Sequence, residues 1–257
     1  MNYFASFPTK PYDIGKNKKY RTVTDLTRRV GIRTDMVNVL PSYYKSSIVM
    51  SERPEVVSDN LYENVRYHWI LMQLNNVVDP YFDWVLEDAT LESFINKKYP
   101  NYNLLLYTDH HAEPAYNTSD PKSYFFHPGE TITGGTATGT VVEFDPTVKQ
   151  IVYKPVSGIF ADDDVITGSV SGAMGKVEEY TTELVGIHHY ESSAPEESGL
   201  NVDRDHVVVY GSTYYYAKAI TNQTYELNRN EENREISILR DNYLQQYVGE
   251  FKEKIRQ

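Results

Sequence analysis

At 257 residues with 40% hydrophobic content and a mean hydropathy of -0.54, the chain can hold one large domain or two small ones, though it is lean in apolar side chains. A formal charge of -11 excludes sequence-independent binding to phosphate backbones as its main work, because that requires clustered Lys and Arg. The absence of cysteine removes disulfides, thiol catalysis and thiolate metal sites together. Tyrosine fills much of the apolar deficit, with 23 Tyr against 9 Phe and 2 Trp. It supplies contact area with a polar end, which suits both partner-buried surfaces and β-strands. Residues 1–10 lack the basic segment and apolar run of a secretory signal, and no stretch approaches about 20 apolar residues. The expectation is a soluble product made in a cytoplasm, with no membrane partner.

In chain order, residues 1–44 are rich in Pro, Tyr and basic side chains, with one periodic patch at Val23, Leu26, Thr27 and Val30. This reads as an extended arm carrying one turn of helix and ordering on a neighbour. The basic stretch 16–33 is read as a solvated face or a contact for an acidic surface. Residues 45–100 are the most helical. A strand is expected at 46–50, and a helix opens near Pro54, whose missing N–H is harmless at the first helical position. A second amphipathic run sets Val65, Trp69 and Met72 on one stripe, with Ile70 and Leu74 beside it. It ends at Asn75-Asn76, and 77–80 is expected as a short strand or extended exit where Pro80 bars further helix. A third helix is expected at 91–98 with Thr90 as its N-cap.

Residues 120–182 carry an internal repeat. The run 126–134 (FHPGETITG) matches 160–168 (FADDDVITG) at an offset of 34, and each half continues into a Gly-x-Val-x-Glu-aromatic strand. Two such halves predict an inserted small β-barrel or sandwich, since neither half can bury a face alone. Asp145-Pro146 reads as a turn into a strand at 150–154. Residues 183–257 then hold a loop at 194–200, a hairpin about Gly211-Ser212 and a final amphipathic helix with Leu244, Tyr247, Val248, Phe251 and Ile255 on one face. The fold class is α+β: a strand–helix–helix–strand core, an inserted β-module and a C-terminal docking helix.

Chemistry finds little support. His110-His111 and His188-His189 are adjacent pairs, and neighbours in sequence do not share one face of an element. A metal site there needs convergence with Asp109 or Asp203, and no ligand spacing demands it. The run Asp162-Asp163-Asp164 lacks the periodicity of a calcium loop and sits where Asp is a routine turn residue. The glycines at 134–135 precede no phosphate-binding Lys, and no serine sits in a nucleophile elbow. No catalytic residue, cofactor or metal ligand is expected.

Several runs carry a pattern: Glu52-Arg53-Pro54-Glu55, Leu61-Tyr62, His68-Trp69-Ile70-Leu71, then Asn75-Asn76-Val77-Val78-Asp79-Pro80 and Phe82-Asp83-Trp84. With Tyr3-Phe4, Phe7-Pro8 and the 25–30 run near the start, and 225–228, 234–239 and Tyr243-Leu244 near the end, they resemble the small LysM-like baseplate wedge protein of contractile-tailed phages. This is the family conventionally called gene product fifty-three. The resemblance covers roughly 1–100 and 220–257; the glycine of the usual strand–helix junction is absent at 50–52. It implies a non-enzymatic structural subunit of the virion tail baseplate, assembled in the host cytoplasm. Such a subunit bridges adjacent wedge copies and contacts other wedge proteins, with sheath-initiator or hub proteins as further candidate partners and no nucleic acid. Trp69, Tyr81, Trp84, Asn75, Asp79, Pro80, Tyr243, Leu244 and Phe251 are the expected core or interface anchors. A peptidoglycan- or glycan-binding LysM-type module is the alternative.

Overall fold

The computed structural model describes residues 3–16, 18–31, 41–49, 52–107 and 125–256. The chain divides into two units, Met1–Asp88 with Arg229–Gln257, and Ala89–Asn228. In the first unit a 3-10 turn at Tyr3–Ser6 leads into strands β1 (Thr9–Tyr12) and β2 (Arg21–Thr24), which pair antiparallel. The 23–30 patch therefore opens in a strand rather than a helical turn, and Leu26 is exposed. Strand β3 (Tyr43–Ser47) begins three residues before the expected start; Met50 lies outside the described residues.

Helix α1 (Pro54–Tyr62) starts on its proline and stops at Glu63, whose left-handed backbone turns its N–H back to the Asp59 carbonyl. Helix α2 (His68–Leu74) buries Trp69, Ile70, Leu71 and Leu74. Residues 77–80 form no strand. The sheet is instead completed by β14 (Glu235–Leu239), antiparallel to β3 with Ser47 opposite Glu235 and Tyr43 opposite Leu239. The strand–helix–helix–strand order is thus finished from the far end of the chain. Helix α5 (Asp241–Arg256) follows, burying Leu244, Val248, Phe251 and Ile255 at helical spacing. These four join Trp69, Leu74, Trp84, Ile236 and Ile238 in one core, against which Tyr3 and Val30 also pack.

The second unit opens with helix α3 (Asp88–Lys98), which starts before the expected N-cap and so places Thr90 inside its first turn. It then holds a six-stranded closed barrel in the order β4 (Tyr102–Leu106), β7 (Gln150–Ser157), β6 (Ala137–Asp145), β5 (Thr131–Gly134), β8 (Val165–Gly168) and β9 (Met174–Thr182). The sequence repeat is a structural one. Phe126 and Phe160, Ile132 and Ile166, and Val141 and Val177 are equivalent pairs, all buried in the barrel core. Gly129 and Asp163 share a left-handed backbone, at φ +87° and +69°. Their N–H groups donate to Val141 and Val177 at 2.8 Å each. The side chains of Glu130 and Asp164 accept from the N–H of His127 (2.6 Å) and Ala161 (2.8 Å). The aspartate run is thus a turn built like its counterpart. The Ile-Thr-Gly signature has a steric cause, because β5 and β8 lie against each other. A Cβ on Gly134 would stand 2.8 Å from Ile166, and one on Gly168 would stand 2.7 Å from Glu130.

A four-stranded sheet in the order β11 (Asn201–Val202), β10 (Ile187–Ser192), β13 (Thr213–Thr221), β12 (Val207–Tyr210) and helix α4 (Asn222–Glu232), which continues into Arg229–Gln257, complete the succession of elements.

Glu130 is the repeat's point of asymmetry. Burial pushes its pKa up, but N–H groups of Ser171, His127 and Val170 and the Ser171 hydroxyl outweigh that and hold the carboxyl below its ordinary 4.5. A lowered folded pKa stabilises above the unfolded value, and that gain is lost as pH falls through the folded one. Glu130→Ala is expected to destabilise the barrel by about 3 kcal/mol, against about 1 kcal/mol for Asp164→Ala with its fewer bonds. Urea unfolding at pH 7 checks the ranking. The gap between native and Glu130→Ala should shrink as the titration is repeated below pH 4.5.

Candidate partner interface

The anchors expected from sequence separate into two groups in the first unit. Trp69, Trp84, Leu244 and Phe251 are buried, at 5, 4, 2 and 3% exposure, whereas Tyr81 is 77% exposed and Tyr243 37%. Trp69 is clamped by rings, with centroids 4.6 Å from Phe251, 5.2 Å from Tyr3 and 6.1 Å from Tyr247. Its indole N–H is buried without an acceptor among the described residues, so the ring is held by packing. The Trp84 indole N–H donates to the Glu52 carbonyl at 2.8 Å.

Asn75 ties α2 to the sheet. Its Nδ2 donates to the Leu71 and Ser237 carbonyls at 2.8 and 3.0 Å, and its Oδ1 accepts the Ser237 N–H at 2.7 Å. The amide thus mimics a neighbouring strand along the outer edge of β14. The Tyr62 hydroxyl performs the same service for the Leu239 carbonyl at 2.9 Å. Burial pushes both the Tyr62 and Tyr247 phenols well above their ordinary range.

After Asn76 the chain enters a stiff turn. Asp83 Oδ2 accepts from the Val78 and Asp79 N–H groups at 3.1 and 2.9 Å, and Asp79 Oδ1 accepts from the Tyr81 N–H at 2.9 Å. Arg229 holds the other oxygen of Asp83 at 3.3 Å. With its backbone groups satisfied in this way, the turn presents Val78 (74% exposed), Pro80 and Tyr81 outward. Beside it runs a groove of about 610 Å³, lined by Tyr3, Phe4, Trp69, Met72 and Val78 among others, with Arg28 and Arg29 on its wall. Asp25, hydrogen-bonded by Lys10 (2.7 Å) and Thr27, is held down at about 2 and braces the start of that wall. The surface is aromatic, partly basic and pre-formed, which suits protein docking more than chemistry.

Of the two histidine pairs, the described residues include one. His110, His111 and Asp109 lie outside the described residues. His188 and His189 do approach, Nδ1 to Nδ1 at 2.8 Å, because a bulge in β10 between Ile187 and His189 breaks the alternation that would separate them. His188 stacks on Tyr225 at 3.8 Å, and burial together with His189 lowers its pKa. Among the described residues no three His, Asp or Glu side chains converge as a metal site, and no helix there is long and apolar enough to cross a membrane.

Residues 4–117 match the family model described as base plate wedge protein 53. A curated relative, the baseplate wedge protein gp53 of Enterobacteria phage T4, is 28% identical over 81 residues, which cover 30% of this chain and 40% of the relative. The likeness therefore spans well under half of either protein. Its family segment takes in the arm, β1 to β4, α1, α2, the 78–83 turn and α3.

Asn75→Ala removes three hydrogen bonds and leaves the Ser237 peptide groups unpaired, so it is expected to cost about 2–3 kcal/mol. Amide exchange at Ser237 should accelerate in the variant while exchange within the barrel does not change, which a mass-resolved exchange experiment reads directly.

Proposed function

We infer that this chain, whose residues 4–117 match the model of base plate wedge protein 53, is a structural subunit of a contractile phage tail baseplate. It joins other wedge proteins through its first unit and helps to bridge adjacent wedges. The observation that carries the reading is a coincidence of extents. The family segment supplies Phe4, Phe7, residues 26–31, α2 and the turn that follows it, which line the aromatic groove and its exposed rim, with Tyr3 one residue before the segment. The β3–α1–α2–β14 order with antiparallel β3 and β14 supports a LysM-like core for that unit. In this reading Trp69, Trp84, Leu244 and Phe251 hold the core. Asn75, Asp79 and Pro80 shape the rim, and Tyr81 and Tyr243 meet partners. A rigid aromatic presented on a satisfied turn is the kind of residue that dominates protein interfaces. The virion baseplate is the corresponding location, reached by assembly in the host cytoplasm.

Size-exclusion chromatography with light scattering, on the chain alone and with the tail proteins encoded beside it, tests the reading. Co-elution with a wedge scaffold protein is expected. Val78→Asp with Tyr81→Ala should weaken that complex by tenfold or more, on the order of one interface hot spot, without changing the melting temperature. Indifference of the native chain to every tail protein overturns the assignment.

A further inference from the structure

Several β-sheet edges among the described residues are closed. The barrel has none, β14 is covered by Asn75 and Tyr62, and β1 carries Pro11. The Asp25 N–H donates to the Pro8 carbonyl, and pairing alternates from there, so Pro11 stands at a position whose nitrogen faces away from β2. Four further edges among the described residues, β2, β3, β11 and β12, carry neither device; β11 is only two residues long, β3 sets Lys45 on its open side, and β2 and β12 are flanked by runs of opposite charge.

Strand β12 is the outer strand of its sheet and reads Val-Val-Val-Tyr, with no charge, proline or bulge. The Ala217 N–H donates to the His206 carbonyl, so the alternation places the backbone groups of Val207 and Val209 on the open side. The same two side chains and their cross-strand partners Tyr216 and Tyr214 are 47 to 61% exposed. Acid leads into the edge: residues 195–206, which run up to β12, hold four carboxylates against one arginine, a surplus of three negative charges. On β2 the outward backbone groups belong to Thr22 and Thr24, and the Thr24 carbonyl also accepts the Leu26 N–H at 3.1 Å, leaving its second lone pair for a partner. Residues 10–21 beside it hold five cationic side chains against one carboxylate, a surplus of four positive charges.

We propose that β12 of one copy accepts β2 of a second copy as an added antiparallel strand. The two open residues on each edge share one spacing, so Val207 pairs with Thr24 and Val209 with Thr22 of the other copy. That register sets Tyr210, whose phenol meets Glu196 and lies near Glu197, opposite the cationic Arg21. The opposite charges choose this pairing over β12 with β12, which would oppose acid with acid. The contact is heterologous, because each copy uses a different edge, and contacts of that type propagate into rings or open chains. It is also small, and repetition around a ring supplies what one short strand pair lacks. The contact rests on the two edges alone; reading it as a link between neighbouring wedges rests on the proposed function.

The test uses the chain's lack of cysteine. In the proposed register Val208 faces Val23 of the other copy as a non-hydrogen-bonded pair, about 4.5 Å between Cα atoms, which a disulfide can span. Full-length Val208→Cys and Val23→Cys variants are oxidised separately and mixed at high concentration. The expected result is a one-to-one cross-linked dimer from the mixture only, with a yield that falls as salt rises. Val209→Pro, which removes an outward N–H and spares the pairing with β13, should abolish it; Arg21→Glu, which leaves the backbone untouched, should reduce it. A dimer from Val208→Cys alone means β12 pairs with itself and overturns the proposal. So does a cross-link confined within single chains of the double variant, or no cross-link under any salt. None of these outcomes touches the wedge assignment, which fails only if no tail protein co-elutes.

Discussion

The first unit depends on the return of β14 to β3. The strand brings Ile236, Ile238 and Leu239 into the core and gives the Asn75 amide and the Tyr62 hydroxyl their partners. Without it α1 and α2 would hold half a hydrophobic face and two unpaired polar groups, a costly combination in a buried setting. Folding of this unit therefore waits for residues near the end of the chain, although most of its core lies in the first third. The separation itself is inexpensive, since loop-closure cost grows only with the logarithm of length, about 0.6 kcal/mol per doubling. That slow growth is why a whole second unit can stand between α2 and β14.

The barrel solves a different problem by duplication. Each half of the repeat is a hairpin whose buried face needs the other half, and the β5–β8 contact joins them at the Ile-Thr-Gly segments. Closure then takes two further strands, β7 from between the halves and β4 from before them, with β4 pairing to both β7 and β9. Leu104 stands opposite Ile151, and both are fully buried. The extra polar network on Glu130 links the two halves, since Val170 and Ser171 of the second half donate to its carboxylate in the first.

The legible parts of this structure are those with local causes. Pro54 marks the start of α1, the spacing of Leu244, Val248, Phe251 and Ile255 marks α5, and the 34-residue offset marks the barrel halves. What the sequence did not disclose depends on distant pairing. Residues 77–80 have strand-like composition, yet the sheet position goes to 235–239, because Asp83 captures the Val78 and Asp79 N–H groups into a turn. Tyr102–Leu106 reads as an apolar strand, but only the barrel shows what it closes. Arm residues Tyr3 and Phe7, which composition assigns to a neighbour, pack on Trp69 and Phe251 of their own unit. The histidine contact needed a bulge that no residue type announces.

The tyrosine content resolves the tension between low hydropathy and a real core. Inside, a phenol can fill apolar volume and still terminate a backbone edge, as Tyr62 does at Leu239, or close a side-chain network, as Tyr99 does with the buried Glu226 and Lys98. Each such ring is counted as weakly hydropathic yet buries about as much surface as Phe. Outside, Tyr12, Tyr20, Tyr81, Tyr214 and Tyr216 stay exposed. Their hydroxyls keep water while their rings remain available, so a surface can be adhesive without the aggregation risk of exposed Phe or Leu. In the proposed role, the same residue type serves the surface both before and after a partner covers it. The lean hydropathy is thus a matter of residue type, with rings that fill a core in one place and stand on the surface in another.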